Sequence, residues 1–403
     1  MRVTELLLSN FRGFVEAQVT FDPRLTVLVG VNGTGKSSVL EAIADLMHDL
    51  CVGVHGRALG DEVLRNDSTR GEIHLSFSWG VDEVGARTRG FGVDAPSETL
   101  NYMSLVDPRA ETIPIGMLLP TSRFARDQTP ASTVSSAWGR QRAWEGAFDA
   151  RADFADFFLW FREREDIENE RRTDDPSHRD VRMNAVRSAI ERLVDGISGI
   201  RVRRPQDVPA EGAAFRKATI VASKDGGRLA FDQLSEGERA TIAMTGDIAR
   251  RLAIANPEVV DPLAGEGIVM IDEIELHLHP KWQAEVLDRL LATFPNLQFI
   301  VTTHSPLVLR HVPAQQIRIL EGFEVYSPAH PVEGRDAGSI LSDVFDIDPL
   351  PQETRDAVDH ISGLIDADRF EDARAELQRL SDKLGNLDVE VTRLRTVLDL
   401  MAS

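Results

Sequence analysis

The amino-acid sequence predicts an α/β fold that carries a helical insertion and a C-terminal helical tail. Residues 25–29, 267–273 and 297–303 form apolar runs of strand length, and the first of them leads through a glycine-rich turn into a helical pattern. Residues 122–204 change to a charged and aromatic composition with helical spacing, and residues 346–403 carry three apolar stripes of helical period. We therefore expect a parallel-type sheet interrupted by a helical region.

Composition limits the classes of protein that fit this chain. The 403 residues are 42% hydrophobic, which is enough for a large core and two or three structural units. Lys and Arg number 45 against 65 Asp and Glu, and the net charge of −20 argues against broad, charge-driven coating of nucleic acid. Cys51 is the only cysteine, which excludes disulfide scaffolds. No apolar run approaches the roughly 20 residues needed to cross a bilayer, and no signal-peptide pattern is present, so the sequence predicts a cytoplasmic protein without a membrane partner.

The glycine-rich turn matches the phosphate-binding pattern G-x-x-x-x-G-K-[ST] at every position, from Gly30 to Ser37. Its backbone N–H groups can surround phosphates, Lys36 supplies a point charge, and the Ser37 hydroxyl is suited to Mg²⁺. The pattern thus predicts ATP and Mg²⁺ as cofactors. The predicted nucleotide-binding residues of the loop are Asn32, Gly33, Thr34, Gly35, Lys36, Ser37 and Ser38.

The N-terminal region predicts two strands, residues 3–8 and 17–21, on either side of the turn that contains Arg12. Arg12 lies near the nucleotide if these strands are neighbours, and is otherwise a solvated turn residue. A helix over residues 38–50 and a strand over 72–79 follow.

Residues 80–101 are polar and glycine-rich, which predicts a loop or a mobile hairpin. In the insertion, helices are predicted over residues 148–171 and 181–197. The aromatic side chains of the first helix recur at helical spacing, which is typical of a core and less often of a platform for nucleic-acid bases.

The segment Leu-Ser-Glu-Gly-Glu at residues 234–238 starts a predicted helix over residues 239–255. Ser235 and Glu238 have the spacing of a capping box, which is one interpretation. A helix N-terminus with a hydroxyl and with Gly237 for close approach is also an anion site. The segment alone does not distinguish a capping box from an anion site.

Two further strands end in polar residues of catalytic type. Asp272 and Glu273 close the strand of residues 267–273; Asp272 is placed to bind Mg²⁺, and Glu273 to deprotonate water. His304 follows the next strand, where a neutral imidazole can bond a phosphate or the attacking water. Zinc is a less favoured alternative, since His277 and His279 lack a third ligand at defined spacing.

The order of these motifs, from Asn-Phe-Arg-Gly-Phe to Thr-Thr-His-Ser-Pro, resembles the ABC-type ATPases of the RecF/SMC/OLD branch. Within that branch, residues 157–169 and the short tail look like the ATPase subunit of Septu anti-phage systems, which also occurs in some retrons. The resemblance implies a P-loop ATPase head in which Lys36, Glu273 and His304 are catalytic, and Ser37 and Asp272 hold Mg²⁺.

The resemblance also implies that Ser235 and Gly237 contact the γ-phosphate bound to a partner subunit, and that Arg12 lies near the nucleotide. The glutamine loop of the branch is not identifiable; Gln128 and Gln141 are only guesses. The predicted domains are an N-terminal lobe of the head (1–121), the insertion (122–204), a C-terminal lobe (205–345) and the tail (346–403), which packs on the head or binds a partner.

The leading functional hypothesis is that ATP joins two heads, or a larger oligomer, and that hydrolysis regulates a separate effector. By the Septu resemblance this effector is an HNH nuclease in anti-phage defence, with DNA or retron RNA and DNA reached through the complex. One alternative is a RecF-like repair ATPase that acts on DNA without a nuclease. Another is a scaffold that binds ATP and barely hydrolyses it.

Overall fold

The computed structural model of the protein describes residues 1–52, 59–79, 83–92, 99–101, 112–121, 139–148, 154–204 and 219–402. The chain divides into two compact units, Met1–Ile340 and Leu341–Ser403. The boundaries predicted at 121, 204 and 345 stay predictions. None of the helices within the described ranges is long and apolar enough to cross a membrane.

The strands in chain order are β1 (Arg2–Phe11), β2 (Phe14–Thr20), β3 (Leu25–Val29), β4 (Arg70–Trp79), β5 (Glu83–Gly92), β6 (Thr99–Asn101), β7 (Ile115–Leu119), β8 (Ile197–Arg203), β9 (Thr219–Lys224), β10 (Gly227–Ala230), β11 (Gly267–Ile271), β12 (Leu297–Thr303), β13 (Ile317–Glu321) and β14 (Glu324–Tyr326). The helices are α1 (Lys36–Val52), α2 (Phe154–Asp174), α3 (Val181–Leu193), α4 (Glu236–Ala255), α5 (Pro280–Thr293), α6 (Pro306–Leu309), α7 (Ala337–Phe345), α8 (Gln352–Asp366), α9 (Phe370–Leu384) and α10 (Val389–Met401).

A six-stranded sheet in the order β14-β13-β3-β12-β11-β7 forms the centre of the first unit. Its strands are parallel except β14, and every residue of β3, β7, β11 and β12 is buried. Burial on both faces explains why these strands are continuously apolar. The register pairs Thr303 with Val29 and Ile271 with Val301. Residues that follow these strands therefore emerge at one edge of the sheet.

A second, antiparallel sheet has the order β2-β1-β4-β5-β6. Of the loop or hairpin predicted over residues 80–101, the hairpin is confirmed and the loop is wrong for residues 83–92 and 99–101, because β5 pairs antiparallel with both β4 and β6. The inward face of β5 carries Arg87 and Arg89, which are 2% and 5% exposed, and Arg89 forms an ion pair with the buried Asp45 of α1. Charged residues at buried positions removed the hydrophobic alternation by which a strand is normally recognised.

The third sheet, β10-β9-β8, lies beside α2 and α3. Phe157, Trp160 and Phe161 of α2 are fully buried, so they belong to a core and not to a stacking platform. The ring of Phe157 occupies the space in which a side chain at Gly246 would lie, because a Cβ there would be 2.6 Å from the ring. Helix α4 is thereby packed closely against α2, which belongs to the predicted insertion.

The second unit contains the helices α8, α9 and α10, which were predicted from the three apolar stripes. Its core is made by their inward side chains, Val358, Ile361, Leu364, Ile365, Ala373, Leu377, Leu380, Val391, Leu394 and Leu398. Gly385, at φ 99°, ends α9 in a conformation that glycine adopts without steric cost.

Candidate nucleotide-binding site

A cavity of about 330 Å³ lies at the carboxyl edge of β3, β11 and β12. Predicted site residues from four separate parts of the chain meet there. They are Arg12, Asn32, Gly33, Gly35, Lys36, Ser37, Ser38, Asp272, Glu273 and His304. Gly13 of the Asn-Phe-Arg-Gly-Phe motif also lines it, together with Phe323, which the sequence did not indicate.

The loop between β3 and α1 has the backbone conformation that a phosphate cradle requires. Gly33 and Gly35 have φ values of 85° and 99°, in the left-handed region that favours glycine. A Cβ at Gly35 would lie 2.5 Å from the ring of Phe14, so no side chain fits there. Thr34 lies within the turn, where its hydroxyl donates to the carbonyl of Val31 at 2.9 Å. The N-terminus of α1 therefore faces the cavity without side chains in the way.

The Lys36 ammonium group is held by its own loop. Its Nζ donates to the carbonyl oxygens of Gly30 at 2.9 Å and Val31 at 3.0 Å, and the residue is 5% exposed. Burial lowers the pKa of Lys36, and the charges of Asp272 and Glu273 oppose that shift only in part. An anion in the cavity would offer the ammonium group a stronger partner than two neutral carbonyls.

Asp272 links the phosphate loop to the end of β12. Its carboxylate accepts from Ser37 Oγ at 2.8 Å and from Thr302 Oγ1 at 2.6 Å, while its backbone N–H donates to Leu119 O at 2.9 Å. A hydroxyl and a carboxylate are oxygen donors of the kind that Mg²⁺ prefers, so Ser37 and Asp272 fit the metal that this class of loop uses. The sequence did not indicate Thr302, a buried strand residue without a motif.

Glu273 follows Asp272 with a φ of 48°, which is unusual for a residue other than glycine. Its backbone N–H donates to Thr302 Oγ1 at 2.7 Å, which stabilises this conformation. The turn places Glu273 on the cavity lining beside Asp272. Backbone strain that is held in this way is often found where a side chain must be aimed at a reacting group.

His304 is positioned through Glu275, another residue that sequence reasoning missed. The Glu275 carboxylate accepts from the backbone N–H of His304 at 2.6 Å and from Thr303 Oγ1 at 2.8 Å. Burial, followed by the charge of Lys36, lowers the pKa of His304 below its usual range. The imidazole is therefore neutral at physiological pH and can accept as well as donate a hydrogen bond.

Arg12 also lines the cavity. Its Nη1 donates to Ser38 Oγ at 2.9 Å, its Nη2 forms an ion pair with Glu41, and its guanidinium lies 5.5 Å from the centre of the Phe11 ring. Arg12 lies in the turn between β1 and β2, and its side chain, which is 32% exposed, contacts Ser38 and Glu41 of α1.

Phe323 comes from the turn between β13 and β14 and has a φ of 64°. Its ring packs edge-on against Phe14, with ring centres 5.3 Å apart. A Cβ at Gly13 would lie 2.1 Å from this ring, so the close approach requires glycine there. The sequence offered no signal for Phe323, because its partners are about 300 residues away.

Ser235 and Gly237 lie outside the cavity lining, at the N-terminus of α4. The capping box predicted for Ser235 and Glu238 is confirmed: Ser235 Oγ accepts from Glu238 N at 3.3 Å, and Ser235 N donates to Glu238 Oε2 at 2.9 Å. A Cβ at Gly237 would lie 2.5 Å from the carbonyl oxygen of His277, so glycine is needed for this packing.

The structure assigns no site role to the remaining predicted residues that it describes. Gln128 lies outside the described residues, and Gln141 lies in a short 3₁₀ turn, Arg140–Ala143. His279 caps α5 by accepting from Lys281 N at 3.3 Å, whereas His277 lies 3.6 Å from Glu236. In the part of the chain that the structure describes, no three potential metal-ligating side chains are grouped together.

Comparison with known proteins defines the class. Residues 1–87 match the family model described as an AAA ATPase domain, and residues 125–310 match that described as "AAA domain, putative AbiEii toxin, Type IV TA system". A solved Smc head bound to the C-winged helix domain of ScpA shares the fold, with a TM-score of 0.50 and 16% identity over 81% of this chain and 98% of that one. The phosphate loop and the two family matches define a P-loop ATPase, and its fold is that of the Smc head.

Relatives narrow the class further. The Escherichia coli "Retron Ec83 probable ATPase" is 26% identical over 99% of this chain and 87% of its own length. The "Septu protein PtuA" of Bacillus thuringiensis is 22% identical over 86% of this chain and 84% of its own length. A RecF protein of Edwardsiella ictaluri is 36% identical, but over only 23% of this chain and 24% of its own. The resemblance to the RecF/SMC/OLD branch, and within it to Septu and retron ATPases, is confirmed.

Proposed function

We propose that ATP joins two copies of this chain, and that the signature segment (residues 234–238) of each copy completes the nucleotide site of the other. The proposal rests on the observation that the predicted site residues fall into two groups, one that lines the cavity and one that does not. The cavity collects the phosphate loop, Asp272, Glu273 and His304, whereas Ser235 and Gly237 lie outside its lining. Val31, at the rim of the loop, is 51% exposed, and an apolar residue there suits an interface.

Each cavity residue has a role that its surroundings support. Lys36 exchanges its carbonyl partners for the β- and γ-phosphates, and Ser37 with Asp272 would hold Mg²⁺, which supplies charge neutralisation on the phosphates. Glu273 accepts the proton of the attacking water. His304, neutral and anchored through Glu275, bonds the γ-phosphate or that water.

We further propose that the cycle of association and hydrolysis acts in the cytoplasm on a separate effector, an HNH nuclease in anti-phage defence. The similarity to a retron ATPase over 99% of this chain supports this assignment. DNA, or the RNA and DNA of a retron, would be reached through the complex, since the net charge of −20 disfavours extensive direct binding.

Replacement of Glu273 by Gln tests the dimer. The variant should bind ATP with unchanged affinity and hydrolyse it at least about tenfold more slowly, because the base is lost while the phosphate contacts remain. ATP should then convert it from a single chain to a dimer or larger oligomer, measured by light scattering coupled to size-exclusion chromatography. Unchanged turnover would show that Glu273 is not the catalytic base. A Glu273→Gln variant that stays a single chain in saturating ATP would contradict the dimer.

The effector is tested by co-expression with the neighbouring reading frame of the genome. An HNH protein that co-purifies with the ATPase, and whose nuclease activity changes with ATP, would support the defence role. Repair genes as neighbours, with ATP-dependent DNA binding and a steep salt dependence, would favour the RecF-like alternative, to which the RecF similarity also points. Nucleotide that stays bound through purification, with negligible turnover, would favour the scaffold.

A further inference from the structure

The hydroxyl of Ser235 is held by a buried carboxylate that is itself held by a lysine. Glu238, in the first turn of α4, is 3% exposed. Its Oε2 accepts from the backbone N–H of Ser235 at 2.9 Å and from Ser235 Oγ at 2.8 Å. Its Oε1 accepts from Lys224 Nζ at 2.5 Å. Lys224 ends β9, and so belongs to a hairpin that is separate from the helix it contacts.

This arrangement creates an electrostatic problem for an anion site. Burial raises the pKa of Glu238, but the hydrogen bonds from Lys224 and Ser235 outweigh burial and bring the pKa below its usual value, so the carboxylate is ionised at neutral pH. A buried negative charge in contact with Ser235 would repel a phosphate that approaches this serine. The other acid of the segment, Glu236, is 63% exposed in its side chain, so water screens its charge.

We infer that Lys224 is a positioning residue that neutralises Glu238, and thereby allows the Ser235 end of α4 to approach the γ-phosphate of the nucleotide bound to a second copy. The inference rests on the proposed function, because it assumes that the signature segment acts on the partner's nucleotide. Lys224 does not itself touch the phosphate. Lys224 keeps the capping box of Ser235 and Glu238 intact, and it holds the combined charge of Lys224 and Glu238 close to zero.

The capping box itself is consistent with this role. The Glu238 carboxylate uses one oxygen for Ser235 and the other for Lys224, so the two contacts do not compete. The lysine side chain is 30% exposed while the Glu238 side chain is 4% exposed. The ammonium group therefore covers the carboxylate on its solvent side and leaves Ser235 at the free end of the helix.

The test uses the full chain with Glu273→Gln, so that ATP-dependent association can be measured without turnover. Lys224→Met should weaken association at least about tenfold and leave the ATP affinity of the single chain unchanged, because the phosphate loop is untouched. Adding Glu238→Gln should restore association to within about threefold of the parent, since the amide removes the charge that Lys224 had balanced. Lys224→Arg should retain association.

Arg228→Met is the matched control. It removes one positive charge from an exposed position of the same hairpin, opposite Ser223, and should leave association unchanged. The deficit of Lys224→Met should also shrink as NaCl is raised, because salt screens the exposed part of the repulsion. Thermal midpoints of all variants establish that they are folded.

The outcomes separate two failures. The inference would be overturned, and the dimer would stand, if Lys224→Met associates as well as Arg228→Met. The same conclusion would follow if Glu238→Gln does not rescue a folded Lys224→Met variant. A Glu273→Gln parent that stays a single chain in ATP would overturn the dimer. In that case the same Lys224 and Glu238 variants are compared by turnover with Glu273 present, and absence of rescue there would overturn the charge-balancing role as well.

Discussion

The phosphate loop and the signature segment are the two regions that we propose to contact the phosphates of ATP, and the chain builds them in different ways. The phosphate loop is surrounded by groups from β3, β11 and β12: its Lys36 is bonded to Gly30 within the loop, and its Ser37 to Asp272 at the end of β11. The signature segment is held within one helical turn and by the single lysine Lys224.

The difference shows how much of each region depends on the fold. The phosphate loop is a deep site whose polar partners come from residues up to 235 positions away. The signature segment is a local motif at a helix end, and in the proposed dimer it acts only on the nucleotide of the other copy. Variants that affect one region and spare the other therefore measure whether the two are halves of one site.

The largest effects should come from a pair of substitutions, one in each region. Lys36→Ala should lower ATP affinity at least about a hundredfold and abolish turnover, because the charge on the phosphates is lost. Ser235→Arg should abolish turnover and leave ATP binding by the single chain nearly intact. Nucleotide titration and a phosphate-release assay check both; loss of ATP binding by Ser235→Arg would show that the two regions are not separable.

Mixing the two variants sharpens the comparison. A mixed dimer has one site made from the intact loop of the Ser235→Arg chain and the intact signature of the Lys36→Ala chain. We expect the mixture to regain measurable turnover that neither variant has alone. A mixture as inactive as its components would indicate that each signature serves its own chain, or that one complete site is not enough.

A smaller effect should appear in the pH dependence. Because burial and Lys36 lower the pKa of His304, turnover should fall only at a pH below the ordinary histidine value of about 6.5. Stability follows the same sign: the unfolded chain binds this proton first, so the contribution of His304 is present above pH 6.5 and is lost as the pH falls. NMR titration should show the pKa of His304 rising in Lys36→Ala; an unshifted value would remove Lys36 as a cause.

The smallest effect should come from the aromatic wall. Phe323→Ala removes a partly buried ring that packs on Phe14 and lines the cavity, which is worth about 1 kcal/mol or about fivefold in ATP affinity. Phe323→Tyr keeps the ring and serves as the control. Equal affinities for all three proteins would show that this wall does not contact the nucleotide.

Much of the fold could be predicted because the central strands are apolar on both faces. The strands at residues 25–29 and 297–303 have the predicted bounds, and the positions of Asp272 and His304 follow from the parallel register. A spaced motif and a buried strand are local features, so composition and order were sufficient to place them.

The rest could not be predicted because it depends on contacts distant in sequence. Arg89 occupies a core position only because Asp45 of another element neutralises it, so the sequence left open whether residues 80–101 form a loop or a hairpin. Glu275 and Thr302 are ordinary polar residues until the register brings them to His304 and Asp272.

The contact between Phe323 and Gly13 has a consequence for evolution of the family. The ring leaves no room for a Cβ at residue 13, although the two positions are separated by most of the chain. A change at either position is therefore tolerated more readily when the other changes as well. Among homologues we expect covariation: a residue larger than glycine at position 13 should accompany a smaller side chain at position 323.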